Sequence, residues 1–401
     1  MWFKRTFPMQ LHLKRADMHA YPKANAHTDI LDRLVRRFRP ELRNAVQALS
    51  MRHSRLADLA YSFPALLAAL ACPRAHFSPE PIITHVIAGA PLAEIAHAAA
   101  VPMWLRKIRP ELVPDRVPIL PDGAMFHRQI ANHLPCHAKD ASDWFALVAN
   151  THLWTHQDIA LWCAREFMRD RNSDLNNRWR LISLWAWFSR APGTYGYTMI
   201  GQRFAFDMAF KAAWASALDW CDSVELYLEM GDKSVDDVWL RPGMVMEYEF
   251  VPLRTHEEMA EEAQRMKHCL RRYGAVVAQG YSRVWSIRRE GERLATAEVY
   301  ASEDNPWPQI KQIRIAENKN APEEIWLAAH SWLRSHDLSE LKRNCAKWDN
   351  QLRNRKAWVS LWRPYWIAKQ RIPAWLGLQP SWETLNQLAW YDYRRRRGRW
   401  R

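Results

Sequence analysis

Eight polar residues in the last third of the chain have types and spacing suited to chemistry: His268, Ser286, Arg288, Thr296, Glu298, Gln312, Arg314 and Asn320. A histidine leaning toward Glu298 would gain basicity from the carboxylate, and such a pair suits acid–base work. A catalytic group also needs convergent polar neighbours, and Arg288 and Gln312 are the nearest in the pattern. The competing reading is the polar outer face of a small antiparallel sheet, which needs no function.

Period-two alternation is what would bring these side chains together. Residues 283–289, 294–301 and 309–316 read as three strands, the first two joined by a turn at Glu290–Glu292. Trp285, Ile287, Ala295, Ala297, Val299, Ile313 and Ile315 then share one face, and Ser286, Arg288, Thr296, Glu298, Gln312 and Arg314 share the other. Residues 246–250 also alternate like a strand. Residues 256–273 read as one helix, and Pro322 opens another with Glu323 and Glu324 in its first turn, where the helix dipole favours acids. The order β-α-β-β-β-α predicts an antiparallel sheet of three to four strands with helices on one side. On the 256–273 helix, Met259, Ala263, Met266, Leu270 and Tyr273 trace an apolar stripe. Cys269 edges into it and His268 lies at its border. Neighbours on a helix point about 100° apart, so His268 and Cys269 do not form a nucleophile–base dyad. Cys269, Tyr273 and Gly280 read as structural.

The run MKHCLRRYGAVVAQGYSRVWSIRREGERLATAEVY, followed by PQIKQIRIAENKNAPEE, resembles the PcfJ-like family of proteins linked to conjugative plasmids, phages and other mobile elements. The matching positions are His268, Cys269, Tyr273, Gly280, Ser286, Arg288, Thr296, Glu298, Gln312 and Asn320, with Asn318 an equal match for the last. The resemblance implies an association with DNA transfer and mobile elements. It supplies no reaction and no catalytic roles.

Other chemistries find little footing. The six cysteines are scattered with no CxxC, which fits a reduced, cytoplasmic protein and neither a disulfide framework nor a zinc finger. His152 and His156 have helical i, i+4 spacing but no HExxH glutamate. With only 12 glycines there is no Gly-rich phosphate loop. No cofactor and no metal are expected. The start of the chain has bases but no apolar core of a secretory signal, and the longest apolar stretch, 63–72, is too short to span a bilayer.

The charge is divided. Residues 1–56 carry a balance of +8, residues 394–401 (RRRRGRWR) carry +6, and the rest is neutral. Basic ends on a neutral body suit contact with a polyanion, DNA or RNA, through Arg36, Arg37, Arg394, Arg395, Arg396, Arg397, Arg399 and Arg401. A membrane surface fits less well, because no lipidation signal accompanies the charge. The 23 tryptophans read mainly as wedges in a helical core. Trp358, Trp362, Trp366, Trp375 and Trp400, interleaved with Arg363, Lys369 and Arg371, also suit stacking of single-stranded bases. Residues 91–107 resemble a helix-turn-helix whose second helix is short. The expected fold is mostly α with a small α+β module. Its parts are a basic helical region at 1–110, a proline-rich connector at 111–143, a Trp-rich helical region at 144–240, the module at 241–336, and basic helices with the arginine tail at 337–401. Three functions follow: a mobile-element accessory protein binding nucleic acid through its ends, an enzyme centred on Glu298 and His268, or a scaffold binding another protein through its Trp-rich helices.

Overall fold

Prolines and short polar breaks set the helix ends through the first part of the chain. In this computed structural model, which describes residues 24–170, 175–232, 234–301, 307–337 and 350–371, the helices are α1 (Ala24–Arg36), α2 (Pro40–Ser50), α3 (Ser54–Ser62), α4 (Pro64–Ala71), α5 (Glu80–Ala88), α6 (Leu92–Ala98) and α7 (Ala124–Ile130). Pro40 and Pro64 sit at helix starts, where a missing N–H costs nothing. Apolar periodicity reads Glu41 to Leu70 as one helical run interrupted at Pro64; the structure cuts it a further time at 51–53, where the imidazole of His53 caps α3. The sequence from Asp29 spaces Ile30, Leu31, Leu34, Val35 and Phe38 as an apolar stripe; of these, Val35 and Phe38 are buried and Ile30 is half exposed.

Two compact units result, residues 1–149 and 150–401, with α8 (Ala138–Trp154) running across the division. The first has its core around Val46, Leu56, Leu66, Trp104, Ile130 and Trp144. The proline-rich stretch read as a connector is packed into this unit: Val113, Val117, Phe126 and Ile130 are buried, and Trp104 Nε1 donates to the Pro121 carbonyl at 2.9 Å. No helix-turn-helix forms. After α6 the chain turns through Ala100 at φ 49° into a five-residue 3-10 turn, Met103–Lys107, between two prolines. That turn buries Trp104 and Leu105 and is too short to enter a groove.

The second unit opens with α9 (Gln157–Arg169), α10 (Leu175–Phe188), α11 (Tyr195–Thr198) and α12 (Phe210–Met230), and α16 (Asn350–Lys369) belongs to it. Trp162, Trp185, Trp220, Phe188, Trp362 and Tyr365 are its buried wedges. Trp162 and Trp220 satisfy their ring N–H groups on the Met208 and Gly196 carbonyls. The base-stacking surface expected on the C-terminal helix is folded inward: Trp358 and Trp362 are buried, Lys369 bonds the Thr155 carbonyl, and Arg371 lies over the Trp154 ring. Trp375 and Trp400 fall outside the described residues. Among the described residues no helix is long and apolar enough to cross a membrane.

The α+β module follows as expected in class, with one more strand. β1 (Gly243–Val245), β2 (Tyr248–Leu253), β3 (Ser282–Arg289), β4 (Glu292–Tyr300) and β5 (Gln309–Arg314) form a single antiparallel sheet in sequence order. The alternation read at 246–250 belongs to a β1–β2 hairpin, whose turn holds Met246 and Glu247. Glu290 and Gly291, both at positive φ, make the two-residue β3–β4 turn. The sheet carries helices on both faces, not one. Trp285, Ile287, Ala295, Ala297, Val299 and Ile313 pack on α15 (Glu323–Arg334), with Phe250 stacked 4.3 Å from Trp332. The other face is covered by α13 (His256–Met266), a 3-10 turn (Cys269–Tyr273) and α14 (Gly274–Ala278), with Leu226 and Met230 of α12 behind. Behind this layer α12 packs against α13, the 3-10 turn and α14. Gly274 allows the approach, since a Cβ there would meet Glu229 and Leu226.

Candidate functional site

The site is made by a break in the helix that the sequence pattern reads as continuous. A capping box of Thr255 and Glu258 starts α13, but Lys267 takes a left-handed φ of 50° and ends it. His268 is then extended, and the chain re-enters as a 3-10 turn. This kink lifts 268–273 off the sheet and leaves a cavity of about 300 Å³. His268, Cys269, Leu270 and Tyr273 line it from above; Val284, Thr296, Glu298, Gln312, Arg314 and Asn318 line it from below.

Strand register puts the polar residues in rows. Ser286 pairs with Thr296 and Thr296 with Arg314, while Glu298 pairs with Gln312. Two hydrogen-bonded chains run through them. In the first, Arg293 Nε donates to Glu262 Oε2 at 2.9 Å, and Thr296 Oγ1 donates to Glu262 Oε1 at 2.8 Å. His268 Nε2 stands 2.9 Å from the same Thr296 oxygen. A hydroxyl has one proton, and the ion-paired Glu262 takes it, so His268 must donate from Nε2. Nδ1 is left as the basic nitrogen, buried and without a hydrogen bond of good geometry. In the second chain Glu298 accepts from Ser282 at 2.8 Å, Lys311 at 3.0 Å and Gln312 at 2.8 Å. Gln312 also donates to the Tyr273 hydroxyl, and its oxygen accepts from Arg314 Nε at 3.2 Å.

Electrostatics follow the burial. Desolvation pushes the His268 pKa below its ordinary 6.5; its own backbone and Glu262 pull it upward, and Arg271 reinforces the drop. This reverses the expectation of a histidine made more basic by Glu298: its partner is Thr296, and Glu298 is tied up by Lys311. Burial and the nearby Glu298 raise the Tyr273 phenol.

Of the eight expected residues, His268, Thr296, Glu298, Gln312 and Arg314 line one cavity. Ser286 and Arg288 lie beside it: Ser286 is fully buried and accepts from Arg288 Nε at 3.1 Å. Asn320 bonds Arg314, and Asn318 holds the lining position. Cys269, expected in the core, is exposed at the cavity, 3.7 Å from Asn318 Oδ1, because the kink turns it out of the stripe. Tyr273 likewise lines the cavity. Gly280 is structural in its geometry: φ 80° lets Tyr281 close back on the Val276 carbonyl. Glu262 was missed, although a signal existed. It lies at i+3 from Met259 and i−4 from Met266, so an acid stood inside the apolar stripe.

Elsewhere, the i, i+4 reading of His152 and His156 fails on the helix end: α8 stops at Trp154, and His156 precedes α9. Of the arginines expected at a nucleic acid, Arg36 is exposed and Arg37 lies 3.7 Å from Glu111. Arg394, Arg395, Arg396, Arg397, Arg399 and Arg401 lie outside the described residues. No known family, curated protein or solved structure matches the chain. The likeness to the PcfJ-like family therefore rests on the residues quoted for it.

Proposed function

We propose that this is a mobile-element accessory protein of the PcfJ-like kind whose α+β module carries an acid–base site for a small molecule. The observation that supports this most is the convergence of five polar side chains, from a broken helix and two strands, on one cavity; one of them, Glu298, is a buried carboxylate, and a second, Glu262, backs Thr296. In this reading His268 is the proton acceptor, neutral at pH 7. Thr296 and Glu262 hold it in one tautomer, as a carboxylate holds a catalytic imidazole. Glu298 and Gln312 fix the floor of the cavity. The test is nuclear magnetic resonance of His268 in the wild type and in Thr296→Val. The reading expects one dominant tautomer that becomes a mixture in the variant; a mixture in both would remove the relay.

The charge partition supports a second role, in which the basic ends hold nucleic acid without sequence preference. Anisotropy titrations with a DNA or RNA oligonucleotide at several salt concentrations test it. Deleting 394–401 should lower the logarithmic salt slope by about five, near one per lost arginine. An unchanged slope removes the tail from that role.

A further inference from the structure

The charges on the cavity-facing side of the sheet are unevenly matched. Glu262 is paired with Arg293, and Glu298 with Lys311. Arg288 and Arg314, both half-buried, have no carboxylate at ion-pair distance among the described residues. Neutral acceptors hold them instead: Ser286 Oγ for Arg288, and Gln312 Oε1 and Asn320 Oδ1 for Arg314. Such a guanidinium has given up part of its hydration without gaining an opposite charge. Arg314 is also fixed in direction, because two of its nitrogens are anchored. The contacts of Arg314 use Nε and Nη1 and leave Nη2. Arg314 lines the cavity and Arg288 does not.

Resting on the site reading above, we infer that the cavity takes a small organic anion, a molecule with a carboxylate or phosphate group. Arg314 binds the anionic group through its uncommitted donors, since guanidinium geometry matches both groups. Leu270 and Val284 offer the apolar contact for the rest of the molecule. The volume, about 300 Å³, is that of a small-ligand site.

Cys269 provides the reporter, because its thiol is exposed at the same cavity. Cys136, the other exposed thiol among the described residues, has Arg109 on its carbonyl and is no neutral reference. The full chain is alkylated with iodoacetate, which is anionic, and with iodoacetamide, which is neutral, and Cys269 is followed by mass spectrometry beside 2-mercaptoethanol in the same buffer. The proposal expects the iodoacetate-to-iodoacetamide rate ratio at Cys269 to exceed that of the small thiol by about fivefold at low salt, the effect of one unscreened charge nearby. The excess should vanish in Arg314→Gln, persist in Arg314→Lys, and shrink with added sodium chloride in the wild type. The wild-type salt series needs no variant to fold. At matched ionic strength, acetate protection of Cys269 would point to a carboxylate ligand and inorganic phosphate protection to a phosphate ligand. A Cys269 ratio equal to that of the small thiol, one unchanged in Arg314→Gln, or one that ignores salt would overturn the anion assignment. The His268 tautomer measurement is independent of Arg314, so the site reading fails separately.

Discussion

The two faces of the module's sheet are built from alternate residues of the same strands and serve opposite ends. One face is dry: Trp285, Ile287, Ala297 and Ile313 meet Ala328, Ala329 and Trp332 of α15. The other buries Ser282, Ser286, Thr296 and Glu298 under a broken helix that adds Glu262. Burying polar groups is tolerable only when they are bonded, and both carboxylates are. The first face stabilises the module by removing apolar surface from water. The second gives up some of that gain for a fixed polar constellation and an open cavity. Arrangements of this kind mark sites better than exposed polar faces do.

The largest effect should come from breaking the dry face. Trp332→Ala removes a side chain that is 1% exposed and should cost about 4 kcal/mol in urea unfolding. Breaking the polar face at its buried acid comes next. Glu262→Ala strands Arg293 and Thr296 and should cost about 3 kcal/mol; its double-mutant cycle with Arg293→Ala should show strong coupling.

Acid sharpens the comparison, because it acts on the polar face through His268. Its folded pKa is below the unfolded 6.5, so the unfolded chain binds more protons between the two values. Its contribution to stability is therefore complete above pH 6.5 and is lost as pH falls through the folded pKa. His268→Gln should flatten this part of the stability–pH curve relative to the wild type. The smallest effect concerns the kink: Lys267→Gly relieves a left-handed, non-glycine cap and should stabilise by about 1 kcal/mol. If the variant instead loses stability, the helix break is not held by that residue.

Much of the sheet was legible in the sequence, because strands β3 to β5 alternate cleanly and a single period sorts their side chains. Hence the alternation alone places Thr296, Glu298, Gln312 and Arg314 on one face. The helix break was hidden, since left-handed caps are usually glycine and this one is Lys267. With the helix read straight through, Cys269 falls into the core. The packing of α12 behind that layer depends on Leu226 and Met230, whose meeting with α13 and α14 no local pattern encodes. Glu262 was the readable exception, a charge at a core position of its helix.

The central claim is that the polar face holds His268 as a neutral base in one tautomer. A long-range proton–nitrogen spectrum of selectively labelled protein, recorded through a pH titration, measures this directly. The account predicts that at pH 7 the proton sits on Nε2, with titration below 6.5. A proton on Nδ1, or an imidazolium that persists at pH 7, would contradict it.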